Sequence, residues 1–226
     1  MAKNHVITIT TARDYYALHS WLEAMEQMAI ASRVGVKSSF VTPPFTDDIE
    51  GGCGPNDSVS YFIEVDEEVS WNVSTPAHIS VVFAGNTAVT HHRGDIEAID
   101  RAKVTCKGFV KQPQTPGTII LHGRSNLEAA IDMENVGPHV IAHDFATWRS
   151  RGGMDVRADG CTRGWAANST VQLDGNAAAT ASFASSIRAD GNSVVWTQDP
   201  SMVEVVGLGA HVQVVDSLFG ETDSFD

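Results

Sequence analysis

Residues 156–196 read VRADGCTRGWAANSTVQLDGNAAATASFASSIRADGNSVVW. The segment VRADG at Val156 returns as IRADG at Ile187, 31 residues later, with VQLDGN at Val171 between them. Each unit is a run of three or four alternating residues closed by an Asp/Gly/Asn turn. Such a strand is too short to stand alone, and Gly and Asn tolerate the left-handed dihedrals that reverse the chain. Stacking the units as coils would bury a column of Val, Ile, Ala and Leu.

Outward from this stretch the period is eight. Ala88, Ile96 and Val104 are eight apart, each followed two residues later by Thr90, Ala98 or Cys106, and two after that by His92, Asp100 or Gly108. The pattern pauses at VKQPQTPGT, where Pro113 and Pro116 preclude a central strand. It resumes at Ile119 and Leu127, and runs through Val140, Trp148 and Val156, with Asp144, Gly152 and Gly160 four residues beyond them. A one-residue slip resets it to Val171, Ala179, Ile187 and Val195, so the 31-residue return is four octads minus one. The expected fold is mainly β: a short-strand solenoid, right-angled or triangular with two or three octads per coil. An irregular jelly roll or sandwich is the competing arrangement.

The units VTHHRGDI, DVRADGCT, VQLDGNAA and IRADGNSV resemble the octad repeats of actinobacterial phage and prophage proteins that are expected to form β-solenoids. The resemblance covers roughly residues 79–199 and implies a phage origin. Trp148, Trp165 and Arg163 are bulkier or more highly charged than the pattern.

Upstream the chain is α+β in character. Alternation around Ile7 and Ile9 predicts a strand, and Thr10 or Thr11 caps a helix to about Val34, with Asp14 completing a capping-box signal. Tyr15, Leu18, Trp21, Leu22, Met25 and Met28 recur at helical spacing along it. TPPFTDDIEGGCGPND, residues 42–57, is a loop, and residues 58–74 return to strand-like alternation. Three segments result: a small α+β domain over 1–78, the octad solenoid over 79–200, and final strands with an acidic tail over 201–226.

Composition narrows the function classes. The chain has 226 residues with 28 acidic against 15 basic side chains, a formal net charge of -13, so direct binding to nucleic acid is not expected. Neither a secretory leader nor an apolar run of spanning length is visible, so no membrane association is expected. Cys53, Cys106 and Cys161 announce no disulfide framework, which favours a reduced host cytoplasm. Cys106 and Cys161 read as small buried packing groups.

Chemical motifs are sparse. His91, His92 and Asp95 read as exposed polar side chains, because neighbours on a strand face opposite ways. Asp155 with Asp159, or Asp174 with Asp190, would form glycosidase-like carboxylate pairs if coils stacked them, but turn formation accounts for them more simply. GGCG at Gly51 and GLG at Gly207 lack dinucleotide or phosphate-loop spacing, so no cofactor is expected, and no metal site is indicated. WRSRGG at Trp148 is a small basic spot beside an aromatic.

Charge is the more informative feature. No Lys or Arg lies between Lys37 and Arg93, an interval holding Asp47, Asp48, Glu50, Asp57, Glu64, Asp66, Glu67 and Glu68, and none follows Arg188. The leading expectation is a non-enzymatic phage or prophage protein that binds a host protein. It would be an anti-CRISPR or anti-restriction inhibitor whose Asp47, Asp48, Glu50, Glu64, Asp66, Glu67 and Glu68 mimic DNA phosphates. A structural or adhesion component of the phage particle is the first alternative. A polysaccharide-binding or polysaccharide-cleaving β-helix is the second, with Trp148, Trp165 and Trp196 as its aromatics. Exposed terminal coils favour a homodimer or homotrimer.

Overall fold

The computed structural model describes residues 2–33, 41–47, 53–107, 117–131 and 136–216. The chain starts with β1 (Asn4–Ile9), α1 (Ala12–Arg33), β2 (Ser58–Ile63), β3 (Val69–Trp71), β4 (Ile79–Phe83), β5 (Ala88–His91) and β6 (Ile96–Ala98). It continues with β7 (Lys103–Lys107), β8 (Thr118–Leu121), β9 (Asn126–Ala130), β10 (His139–Ala142), β11 (Thr147–Arg151), β12 (Asp155–Ala158) and β13 (Arg163–Ala167). It ends with β14 (Thr170–Leu173), β15 (Ala178–Ser182), β16 (Ser186–Ala189), β17 (Val194–Thr197), a 3-10 turn (Pro200–Met202), β18 (Val203–Val205) and β19 (His211–Val214).

These strands form two parallel sheets. The first has ten strands in the order β1-β2-β4-β6-β8-β10-β12-β14-β16-β18, and the second has nine, from β3 through the remaining odd-numbered strands to β19. Each coil therefore contributes one strand to each face, and from Val140 to Val203 the coils are about two octads long, while the coils on either side of Ile119 are longer. The solenoid is flattened and two-sided, neither right-angled nor triangular, because one Asp/Gly turn suffices to carry the chain from one sheet to the other.

Alternation explains the core. In β14, Val171 and Leu173 point inward and are buried while Gln172 is exposed. Ile96, Ile119, Val140, Val156, Val171, Ile187 and Val203 stand in register along the first sheet. Val89, Val104, Leu127 and Trp148 do the same along the second. Only Ala88 is out of phase with the octad reading: Val89 takes the inward place, and Ala88 lies half-buried on the outer face.

The turns stack as well. Asn176 N–H donates to the Gly160 carbonyl at 2.8 Å, and Asn192 N–H to the Gly175 carbonyl at 2.7 Å. Gly175 and Gly191 have φ of 64° and 62°, and a Cβ at Gly191 would stand 2.7 Å from Gly175 N, so both conformation and crowding demand glycine. The shortened repeat arises on the opposite side of the coil. Asn168 and Ser169 connect β13 to β14, whereas Phe183, Ala184 and Ser185 connect β15 to β16.

The sheets run through the 78/79 boundary, since β2 pairs with β4 and β3 with β5. At the amino-terminal end β1 extends the first sheet, and α1 covers the second. Tyr15, Leu18 and Leu22 of α1 are buried, and the Tyr15 hydroxyl donates to the Ser70 carbonyl of β3 at 2.6 Å. Thr11 and Asp14 form the expected cap, the Asp14 N–H donating to Thr11 Oγ1 at 3.2 Å. Arg93 then clamps the helix through a two-pronged contact with Glu26, one prong at 2.6 Å. The helix thus occupies the position of a further strand and protects an edge that would otherwise be unpaired.

Candidate functional site

Parallel pairing places side chains one coil apart in sequence directly above one another, so the outer face of each sheet carries columns that the linear sequence hides. On the second sheet one column runs Glu128, Arg149, Trp165, Thr180, Trp196, Gln213. Asn126, Thr147, Arg163, Ala178, Val194 and His211 form the column beside it. Trp165 and Trp196 are both partly exposed. The Arg149 guanidinium lies 4.9 Å from the centre of the Trp165 ring, and Trp196 Nε1 donates to Gln213 Oε1 at 2.9 Å. The two indoles are two strands apart, about 9.6 Å at the usual ~4.8 Å strand spacing. They bracket the small hydroxyl side chain of Thr180.

Trp148 does not join them. It is buried in the inward column, where Gly164 in the next coil leaves room for its ring. The offset of 31 between Trp165 and Trp196 is one short coil plus one long coil, which restores the same face.

The first sheet carries histidines on its outer face and along its turn. His122 and His143 stack with ring centroids 4.8 Å apart, and His143 Nδ1 lies 2.8 Å from Asp159 Oδ1. His139 Nδ1 is 3.1 Å from Asp155. The carboxylates weighed as catalytic pairs are thus engaged separately: Asp155 and Asp159 with histidines, Asp174 and Asp190 with the N–H of the glycine that follows each, at 2.6 and 2.7 Å. A shallow groove of about 430 Å³ lies on the outside of this sheet, lined in part by Ser80, Asp95, Glu97, Thr118 and Ile120. Asp95 is committed there to the Thr118 N–H at 2.7 Å.

Two readings of single residues are corrected. His91 is buried, not exposed: its Nε2 lies 2.7 Å from the Gly94 carbonyl and its Nδ1 3.6 Å from Cys106 Sγ. Burial pulls its pKa down to about 4. Cys161 is exposed rather than packed, because it follows Gly160 in the turn, whereas Cys106 is buried as expected.

Of the acidic residues, Glu64, Asp66, Glu67 and Glu68 all fall in the turn from β2 to β3 and are exposed. Glu68 accepts from the Thr90 hydroxyl at 2.6 Å. Asp47 is exposed on a separate segment, and Asp48 and Glu50 lie outside the described residues. A constellation the sequence did not announce is His5, Cys53 and Asp57, whose donor atoms all lie within 4.8 Å of one another.

No family model, no curated protein and no solved structure matches the chain.

Proposed function

We propose that the chain is an adhesion element of a phage particle, a stiff solenoid that holds a polysaccharide against the outer face of its second sheet without cleaving it. The observation that carries this reading is the shared column of Trp165 and Trp196, separated by Thr180 and flanked by Arg149 and Gln213. Indole faces offer large, rigid contact area at low entropic cost, and a polar rim fixes orientation. A repeating polymer suits a column that repeats at coil spacing. Of the carboxylates weighed as glycosidase-like pairs, Asp155 lies on the other sheet and Asp159, Asp174 and Asp190 lie in the turns. The phage attribution rests on the resemblance of VTHHRGDI and its sister units to phage octads.

The test is binding to host cell-wall polysaccharides on a glycan array. Trp165→Ala and Trp196→Ala should each weaken binding at least tenfold with unchanged melting, while reversal of the acidic turn should leave it intact. Absence of binding by the parent protein, or equal binding by both variants, removes the reading.

A second reading is favoured by the exposure of Glu64, Asp66, Glu67 and Glu68 on a single turn. There the chain would occupy the basic groove of a host DNA-handling protein, acting in the host cytoplasm.

A further inference from the structure

We propose that His5, Cys53 and Asp57 form a binding site for a single Zn²⁺-class cation, which staples β1 to the chain entering β2. The three side chains offer an imidazole, a thiol and a carboxylate, with all three donor atoms within 4.8 Å of one another. Nitrogen, sulfur and oxygen ligands in one set suit a borderline-soft divalent ion rather than Mg²⁺ or Ca²⁺.

The spacing of the imidazole and the carboxylate fits a shared ion. His5 Nε2 lies 3.4 Å from Asp57 Oδ2. In a tetrahedral zinc site with metal–nitrogen and metal–oxygen bonds near 2.0–2.1 Å, the corresponding ligand–ligand edge is about 3.3 Å. The pair is thus already at coordination spacing, and only modest movement of Cys53 closes the third corner.

The surroundings are arranged as a support for the carboxylate. Asp57 Oδ1 accepts the Lys3 N–H at 2.8 Å, and Oδ2 accepts the Gly54 N–H at 2.9 Å. These bonds fix the carboxylate on both oxygens. Outer-shell donors of this kind orient a metal ligand. His5 and Asp57 have side-chain exposures of 11% and 13%, low enough to restrict their motion and still open to an arriving ion.

Loading follows a balanced exchange: the sulfur–metal bond forms as the Cys53 S–H proton leaves to solvent. His5 coordinates through Nε2 with its remaining proton on Nδ1, giving up the weak bond to Asp57. Solvent completes the tetrahedron. The consequence is architectural: among the described residues β1 pairs with β2 alone, at one end of the first sheet. A cation bridging His5 in β1 to Cys53 and Asp57 would lock that terminal strand.

The experiment is titration of the full chain with Co²⁺ and Zn²⁺, in a Cys161→Ser background that removes the exposed thiol. One equivalent of Co²⁺ should produce a thiolate-to-cobalt charge-transfer band with the visible bands of a tetrahedral ion, and Zn²⁺ should displace it. One proton or more should be released per ion, and the melting temperature should rise. Cys53→Ala should abolish the charge-transfer band, and His5→Gln should weaken binding at least tenfold. Both leave the Asp57 bonds to Lys3 and Gly54 in place, so the fold is retained and circular dichroism verifies it. A featureless Co²⁺ titration, or a charge-transfer band that survives Cys53→Ala, overturns the site.

Discussion

Gly164 lies in register with Trp148 on the neighbouring strand, and a Cβ at Gly164 would fall inside the indole of that residue. Trp148 is 2% exposed and fills the inward column where other coils place Leu127 or Ala179. The pair is a size exchange between adjacent coils: the large ring borrows the volume its neighbour does not use. Gly164→Ala should therefore destabilise the protein by about 1–3 kcal/mol through overpacking. Urea unfolding checks this. Trp148→Phe combined with Gly164→Ala should recover part of the loss, because the two sites share one space.

This exchange also marks where sequence reading ran out. The octads disclosed the solenoid because Asp-Gly turns and inward Val and Ile report local geometry, visible within eight residues. They did not disclose the coil as two-sided, since that depends on which strand pairs with which. Trp165 and Trp196 could likewise not be assigned to one face, because the coil from Trp165 to Thr180 is one residue shorter than the coil from Thr180 to Trp196. Trp148, by contrast, already stood at an apolar octad position between Val140 and Val156. His5, Cys53 and Asp57 are hidden more deeply: the loop leading into β2 brings them together, and no spacing rule spans it. Exposure of the Glu64 to Glu68 turn was legible, as clustered carboxylates rarely enter a core.

Acid should destabilise the fold beginning near pH 6.5. In the unfolded chain the His91 imidazole binds a proton near its usual 6.5, but in the folded protein burial holds its pKa to about 4. Between those values the unfolded state carries more protons, so stability is full above pH 6.5 and declines as pH falls toward 4, by roughly 3 kcal/mol in all. His19, lowered by its own burial, acts in the same direction. His91→Gln keeps a donor for the Gly94 carbonyl and should flatten the slope, leaving the smaller His19 share. Chemical denaturation at pH 4.5, 5.5 and 7 measures it. Glu26 adds a separate loss at lower pH: Arg93 depresses its pKa, so the stabilisation present above the usual carboxylate range disappears as the pH falls through the folded value.

Reversing Asp66, Glu67 and Glu68 to Lys separates the two functional readings. All three are exposed, and among the described residues only Glu68 has a side-chain partner, the Thr90 hydroxyl, so the fold should survive with a loss below about 1 kcal/mol. Under the inhibitor reading, capture of a basic host protein from lysate should fall more than tenfold and should already weaken with salt in the parent. Under the adhesion reading, polysaccharide binding should be unchanged. Side-by-side capture and glycan binding decide between them.

Deleting residues 171–186 should remove one coil and leave a folded protein. Val171 pairs with Ile187 and Ala178 with Val194, so after the deletion β16 takes the place of β14 against β12, and β17 takes that of β15 against β13. Every ladder and stacked turn is regained with its register intact, and repeat stability is close to a sum over neighbouring coils. Circular dichroism should show the same β signature with one cooperative, somewhat lower melting transition. Deleting residues 171–182 instead puts Phe183 where Val171 stood and displaces the turn by several residues. That variant should aggregate or fail to melt cooperatively. The coil deletion also removes Thr180, so Trp196 moves next to Trp165 and their separation falls from about 9.6 Å to about 4.8 Å. A polymer held at two points by indoles two strands apart then loses its match, and polysaccharide binding should drop at least tenfold although both rings remain. Binding that persists in the folded deletion would show that the spacing of Trp165 and Trp196 does not select the ligand.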